Sequence, residues 1–285
     1  MIEIIEIDGY LDTLKQMSPT SGGESAQTFL ATVEWSDGTV MDTYVKLFPA
    51  SLRTKELINE SFGFLLAETA QLRQTQRAAL IKLAVDDFSI DTSTDSFALT
   101  NGYVYGWATA SLGGDNLKKL LLKNPPSITA TETSTLMQML SKWPSYYSLI
   151  SFDYWTGNTD RNIGNLIFID QNNLAIIDHG RLFGVVNWLV ENFDADVDCQ
   201  NIMLYIYKLS HAGAIIHPAR YKPILDAATQ QQLKFNIAVA DIKQEIIRID
   251  SVINSQLNSK IDDFFDYFHG RFANIASRLP LALAA

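Results

Sequence analysis

The stretch FDYWTGNTDRNIGNLIFIDQNNLAIIDHG, Phe152 to Gly180, sets Asp153, Asn158, Asp160 and Asn165 beside apolar runs and closes the last run on Asp178. Unpaired carboxylates next to buried segments are costly, so such a cluster either caps loops or holds something charged. Residues 151–180 read as strand, loop and strand. If LIFI and LAII pair as antiparallel strands around DQNN, Asn165 and Asp178 face each other and offer the hard oxygen ligands that Mg²⁺ accepts. Asp160 then lies nearby, as a base or orienter for a hydroxyl. Asn158 and Asp153 are placed to brace the loop by hydrogen bonds. Turn formation alone accounts for Asn, Asp and Gly around a hairpin. Asp160, Asn165 and Asp178 together, eighteen residues from first acid to last with a strand pair between, say more than any one of them.

That order is the catalytic-loop Asp, metal-binding Asn and metal-binding Asp of the protein-kinase plan. The plan also demands a lysine on a strand, an acid on the following helix and a loop that covers phosphates. TYVKLF puts Lys46 inside an alternating strand, and Glu56 and Glu60 follow on an expected helix. Glu60, one turn further in, is the favoured partner. Upstream, SPTSGGESAQTFLATV offers Ser21, Gly22 and Gly23 just before a strand, able to expose backbone N–H groups to phosphates. It is not a G-x-G-x-x-G pattern. Singly, Lys46 on a solvated strand face and a surface loop are the ordinary readings; the five residues Lys46, Glu60, Asp160, Asn165 and Asp178 in the required order are not.

Around these residues the chain predicts a mixed α+β organisation. IEIIEID has strand character, and QTFLATVEW and TVMDTYVKLF alternate around the hairpin signal SDG. From Leu52 to Leu72 apolar residues recur at helical spacing. IKLAVDDFSI and FALTNGYVYGWA read as further strands, with a polar loop between them. After Gly106 a connector and short helix end at Pro125 and Pro126, and ATETSTLMQMLSKW is a helix with capping residues at its start. From Gln200 onward the pattern is helical. The expected architecture is a small β-rich N-lobe, residues 1–105, and a larger helical C-lobe, residues 106–285, with a hinge near residues 103–113.

Composition narrows the function classes. The chain has 285 residues and a formal net charge of −10, which argues against sequence-independent nucleic-acid binding and hints at a basic target. Cys199 is the single cysteine, so neither an internal disulfide nor a thiolate metal site is expected. His211 and His217 lack partnering acids, and DADVD at 194–198 lacks the glycine and glutamate of a calcium loop. Trp143, Trp155 and Trp188 read as packing residues. The N-terminus is acidic where a secretory signal is basic, and no run reaches the length of a membrane span, so a cytoplasmic location is expected.

The ordered segments SGGESAQTFLA, YVKL, NESFGFLLAETAQL, FDYWTGNTDRNIGNLIFI and LAIIDHG resemble the HipA-like kinase family and, more distantly, phosphatidylinositol kinases. The resemblance spans residues 18–185, with FD…GNTDRNIGN its most specific part. It implies a two-lobed, ATP- and Mg²⁺-dependent kinase that transfers a phosphoryl group to a Ser or Thr hydroxyl. Lys46 would then hold the α- and β-phosphates and pair with Glu60, with Asp160 catalytic and Asn165 and Asp178 on Mg²⁺. Backbone groups of Val104, Tyr105 and Gly106 would meet adenine, and Arg161 would steady the loop or the phosphoryl group. The family includes toxins neutralised by a small DNA-binding antitoxin, some silenced by phosphorylation in the Gly-rich loop, for which Ser18, Ser21 and Ser25 are candidates. Departures are Asn162 and Ile163 after the Asp-Arg pair, and His179 where many kinases carry Phe; with so few residues ahead of the Gly-rich loop, a compact version is expected. Two other readings stand beside it: a catalytically silent nucleotide-binding regulator, and a lipid or small-molecule kinase, the former against five present residues, the latter against the lack of a basic membrane-facing patch.

Overall fold

The computed structural model describes residues 1–17, 26–88, 95–122, 129–170, 172–185, 187–211 and 216–284. Their elements, in chain order, are β1 (Glu3–Ile5), β2 (Tyr10–Gln16), β3 (Gln27–Glu34), β4 (Val40–Leu47), α1 (Arg53–Thr69), β5 (Ala78–Ala84), α2 (Ser96–Asn101) and β6 (Tyr103–Ala110). Then come α3 (Leu117–Leu121), α4 (Ala130–Lys142), α5 (Tyr146–Thr156), β7 (Leu166–Asp170), β8 (Asn173–Ile176), α6 (Ile202–Leu209), α7 (Pro218–Ile253) and α8 (Ile261–Ala284). The α+β expectation holds: packing gives a β-rich unit and a larger, mainly helical one. The first comprises Met1–Ser61, Thr75–Ser111 and Glu245–Asn258; the second comprises Phe62–Gln74, Leu112–Gln244 and Ser259–Ala285.

The first unit is built on one six-stranded sheet in the order β1-β5-β6-β4-β3-β2, antiparallel except for the β1–β5 pair. The SDG signal makes the predicted hairpin: Trp35 N–H donates to Thr39 O at 2.8 Å, and Gly38 takes the left-handed φ of 79°. Alternation then sorts the faces. Phe29, Ala31 and Val33 of β3, Val45 and Leu47 of β4, Ile81 and Leu83 of β5, and Val104 and Ala108 of β6 form one apolar cluster. Lys46, between Val45 and Leu47, is thereby turned to the opposite face. Burying branched side chains of this kind is worth about 1.5–3 kcal/mol each, so a one-residue register slip that exposed them is strongly disfavoured.

Three elements of the first unit differ from the sequence expectation. FALTN is not a strand but α2, started by Asp95, whose carboxylate accepts from Ala98 N–H at 3.0 Å, and stopped by Gly102 at φ 71°. The helix signal was Asp before and Gly after, not periodicity. The strand that follows runs past Gly106 to Ala110, because every residue from Tyr103 to Thr109 pairs with β5. YLDTLKQ forms a further edge strand, β2, which alternation does not reveal because its residues after Tyr10 are all exposed.

In the second unit, Ser151 to Thr156 end helix α5 and are not a strand. All of Leu149 through Thr156 is buried. A helix apolar all round has no 3.6-residue stripe, so its sequence looks like a short buried strand. Trp155 stacks at 4.0 Å on Phe272 of α8, and Phe62 packs on Phe264 and Phe268 at 5.0 and 4.7 Å. Trp143, Trp155 and Trp188 are buried, as predicted. The α4 start carries the expected capping box between Thr129 and Glu132. Pro125 and Pro126 lie outside the described residues.

Asp95 has a second task besides capping α2: it is ion-paired with Arg53 at the start of α1, both side chains 8% exposed. Replacing Asp95 by Ala removes the cap and strands a buried guanidinium. The expected loss is about 3 kcal/mol or more in urea unfolding, and Asp95→Asn, which keeps the cap acceptor, should lose less. Equal losses would mean that the ion pair contributes nothing.

Candidate active site

Helix α5 ends at Gly157, φ 65°, whose N–H returns to Asp153 O. The backbone then enters a loop that its own asparagines hold. Asn158 Oδ1 accepts from Asp160 N–H at 3.0 Å. Asn162 Oδ1 accepts from Gly164 N–H at 2.8 Å, and its Nδ2 donates to Asp160 Oδ1 at 3.0 Å. Asn165 Nδ2 donates to Asp160 O at 2.7 Å, which leaves Oδ1 as the amide's acceptor oxygen. Asp160 and Asn165 are both half-buried, and Asp160 Oδ2 has no partner among the described residues.

The predicted hairpin is present: β7 and β8 pair antiparallel, with Leu166 opposite Ile176. Ile177 N–H donates to Asn165 O at 3.1 Å, so the chain brings Asp178 back beside the loop. Asp178 sits at φ 67°, a left-handed conformation that a non-glycine residue holds at some cost. Arg161 holds it there. This fully buried guanidinium donates through Nη1 to the carbonyls of Ile177 and Asp178, the latter at 3.0 Å. Its Nε meets Asp153 Oδ1 at 3.3 Å, and its Nη2 donates to His179 Nδ1 at 3.3 Å. One side chain thus ties the end of α5, the loop and the residue after β8. Arg161 has no exposed surface, and its contacts hold the loop to α5 and to residues 177–179.

His179 is 4% exposed. With Arg161 donating to Nδ1, Nε2 carries the proton that meets Gln74 Oε1 at 3.2 Å. The ring lies against Gly63 of α1, where a Cβ would stand 2.3 Å from His179 Cβ. Gly63 and Gln74 are parts of the site that the sequence analysis did not single out; the available signal was a glycine inside a helical pattern, which marks close approach.

On the sheet unit, Lys46 Nζ meets Glu60 Oε1 at 2.5 Å, with the carboxylate 1% and the lysine 18% exposed. β4 carries this lysine between β3 and β6, opposite Thr28 and Trp107. Val104, Tyr105 and Gly106 lie in the first half of β6, opposite Leu83, Lys82 and Ile81. They are strand residues and not a connector. Gly106 serves packing, since a Cβ there would stand 3.0 Å from both Leu83 and Lys46 O. The connector comes later, at Ser111–Asp115, and includes Gly113 and Gly114 at φ 65° and 87°. Ser18, Ser21, Gly22, Gly23 and Ser25 lie outside the described residues. His211 Nδ1 lies 2.9 Å from Tyr207 O and His217 Nδ1 accepts from Ala219 N–H, so each is engaged within its own helix end.

Asn165 and Asp178 supply one amide and one carboxylate oxygen from adjoining segments. That donor set fits Mg²⁺, which keeps waters and takes one or two protein ligands together with substrate phosphates. Among the described residues no group of three or more His, Cys, Asp and Glu gathers where it could hold a metal ion, so the donors here are one amide and one carboxylate.

Complete burial pushes the Asp153 carboxyl up, to about 7, against the pull of the Arg161 guanidinium. Its Oδ2 has no hydrogen-bond partner. Because the folded value lies above the ordinary one, folding takes up a proton here. The stability tied to that proton is complete below about pH 4 and is lost as pH rises through about 7. Asp153→Asn should therefore flatten the urea-stability profile between about pH 5 and 8 relative to the native chain; parallel profiles would show that Asp153 does not titrate on folding. A second expectation concerns Gly63→Ala. Helix propensity alone favours it by roughly 1 kcal/mol, but overlap with His179 should make it destabilising by about 1–3 kcal/mol, with Gly63→Ala/His179→Ala recovering part of the loss in thermal unfolding.

No protein-family model matches the chain, and no curated protein is similar to it in sequence. Among solved structures it is similar to the proinflammatory kinase CtkA of Helicobacter pylori, at 13% identity, over 96% of this chain and 99% of that one, with a TM-score of 0.47.

Proposed function

We propose that the protein is an ATP- and Mg²⁺-dependent phosphotransferase acting on a hydroxyl, and specifically a Ser/Thr protein kinase of HipA-like type. The observation that carries this reading is the braced triad of Asp160, Asn165 and Asp178: Asp160 Oδ1 accepts from Asn162, Asn165 Nδ2 donates to Asp160 O, and Asp178 Oδ1 accepts from Gly180 N–H while its carbonyl is held by Arg161. The Lys46–Glu60 pair supports it from the sheet unit. Pre-set charge and position are what phosphoryl transfer requires, since the transferred group needs little covalent help.

In this reading the acceptor hydroxyl oxygen bonds to the γ-phosphorus of ATP. The bond from that phosphorus to the bridging oxygen breaks, its electron pair leaving with ADP, and the hydroxyl proton passes to Asp160. Asp160 Oδ2 is the oxygen available for it, while Oδ1 is held by Asn162. Asn165 and Asp178 would hold Mg²⁺, which when bound offsets charge on the phosphates. Lys46, fixed by Glu60, would hold the α- and β-phosphates. Arg161 and Asp153 act through the backbone and are positioning residues. A toxin role with a cognate antitoxin, and silencing through Ser18, Ser21 or Ser25, belong to the same proposal.

Incubation with γ-labelled ATP and Mg²⁺, alone and with a cell extract, tests it. Label should appear on protein and fall at least about 100-fold in Asp160→Ala and Asp178→Ala, with Asp178→Ala also demanding more Mg²⁺. ATP that stabilises the fold without labelling any protein would instead favour a nucleotide-binding regulator or a kinase of small hydroxyl compounds, the latter showing as ADP release.

A further inference from the structure

The helical unit contains a cavity of about 640 Å³ that none of the residues assigned above to phosphate or metal lines. One wall is Thr159, the residue immediately before Asp160, and the rest comes from the segment after Asp178 and from α8. Its floor is aromatic. Phe183 lies 5.1 Å from both Trp188 and Phe193, and Phe193 stacks at 4.5 Å on Tyr267.

The rim is acidic in a selective way. The segment from Arg181 to Gln200 carries four acids against one arginine. Asp198 is paired with Arg278 at 3.1 Å, Asp196 takes Asn274 at 2.6 Å and Arg278 at 3.9 Å, and Glu191 is paired with Lys260. Asp194, exposed and lining the cavity, makes no ion pair among the described residues; its Oδ1 accepts only from Asp196 N–H at 2.8 Å. Arg271, 5.7 Å from the Tyr267 ring, donates to the carbonyls of Tyr154, Trp155 and Val197. An aromatic floor with one uncompensated carboxylate at the mouth suits a group with an apolar stem and a cationic head.

From this we infer that the cavity receives an arginine or lysine side chain of a basic peptide segment, whose Ser or Thr hydroxyl is thereby brought to Asp160. The assignment rests on the phosphotransferase reading and names its substrate class. Thr159 joins the two places, since it lines the cavity and its N–H, bonded to Arg181 O at 3.1 Å, ties the catalytic loop to the cavity segment. A protein acceptor of opposite charge also accords with the net charge of −10.

Cys199 provides a test that needs no turnover. It is the single cysteine, it is half-buried in the cavity wall, and its sulfur sits where Cβ atoms on Gly157 or Gly184 would intrude. Two synthetic peptides of equal length are used, each with a central serine, one flanked by arginines and the other by glutamates. The arginine peptide should slow alkylation of Cys199 by iodoacetamide several-fold, and the glutamate peptide should not. With the arginine peptide as acceptor, Asp194→Asn should raise KM about tenfold and leave kcat unchanged; Asp194→Lys should raise it further. Phosphorylation of the arginine peptide with Cys199 unprotected, or with KM unmoved in both variants, would overturn the cavity assignment while the phosphotransferase stands. Equal protection by both peptides would overturn its charge basis. Protection by the arginine peptide with no phosphoryl transfer to any acceptor would overturn the phosphotransferase reading, and with it the substrate role, while the cavity's preference for cations remained.

Discussion

A guanidinium with no water around it must find all its partners in the protein, and Arg161 finds them on two separate pieces of chain. Its charge meets Asp153 on α5, its N–H groups meet the carbonyls of Ile177 and Asp178, and its last contact is the His179 ring. Leaving any of these unmet inside the protein is expensive. The carbonyls of Ile177 and Asp178 are therefore fixed relative to the loop that carries Asp160. Asp178 accepts a left-handed backbone as the consequence, and the rest of the site inherits that geometry.

The arrangement explains why a buried acid and a buried glycine belong to the same site as the half-buried Asp160, Asn165 and Asp178. Asp153 supplies the counter-charge without which Arg161 would not be buried, at the cost of a raised carboxyl pKa. Gly63 supplies the space that lets His179 close the far side of the guanidinium. Both act through Arg161 and His179 on the backbone that carries Asp160, Asn165 and Asp178. In the proposed reading, holding those atoms in place before substrate arrives would be the protein's main contribution to phosphoryl transfer, where charge and position carry most of the barrier lowering.

The sheet unit solves a parallel problem with simpler means. Alternation in β4 sends Val45 and Leu47 into one apolar layer and leaves Lys46 on the other face, where Glu60 meets it. The pair is asymmetric in exposure, with the carboxylate buried and the lysine partly open, so the charge that faces outward is positive. In the proposed reading that charge would meet phosphate.

What the sequence determined by itself was local: the SDG hairpin, the alternation that isolates Lys46, the β7–β8 pair around DQNN, and the spacing that sets Asp160, Asn165 and Asp178 on adjoining segments. These depend on interactions within a few residues, or on one strand meeting the next. What tertiary structure decided was everything for which local pattern is silent. Helix α5 is buried on every side, so its residues carry no period that distinguishes them from a strand. FALTN is helical because Asp95 and Gly102 cap it, and β6 continues to Ala110 because β5 runs beside it. Glu245–Asn258 belongs with the sheet unit because Ile2 binds Glu245 and Arg248, partners more than two hundred residues away in sequence. Arg161, likewise, is an ordinary loop arginine in the sequence, and only burial among distant carbonyls makes it the residue that holds the site.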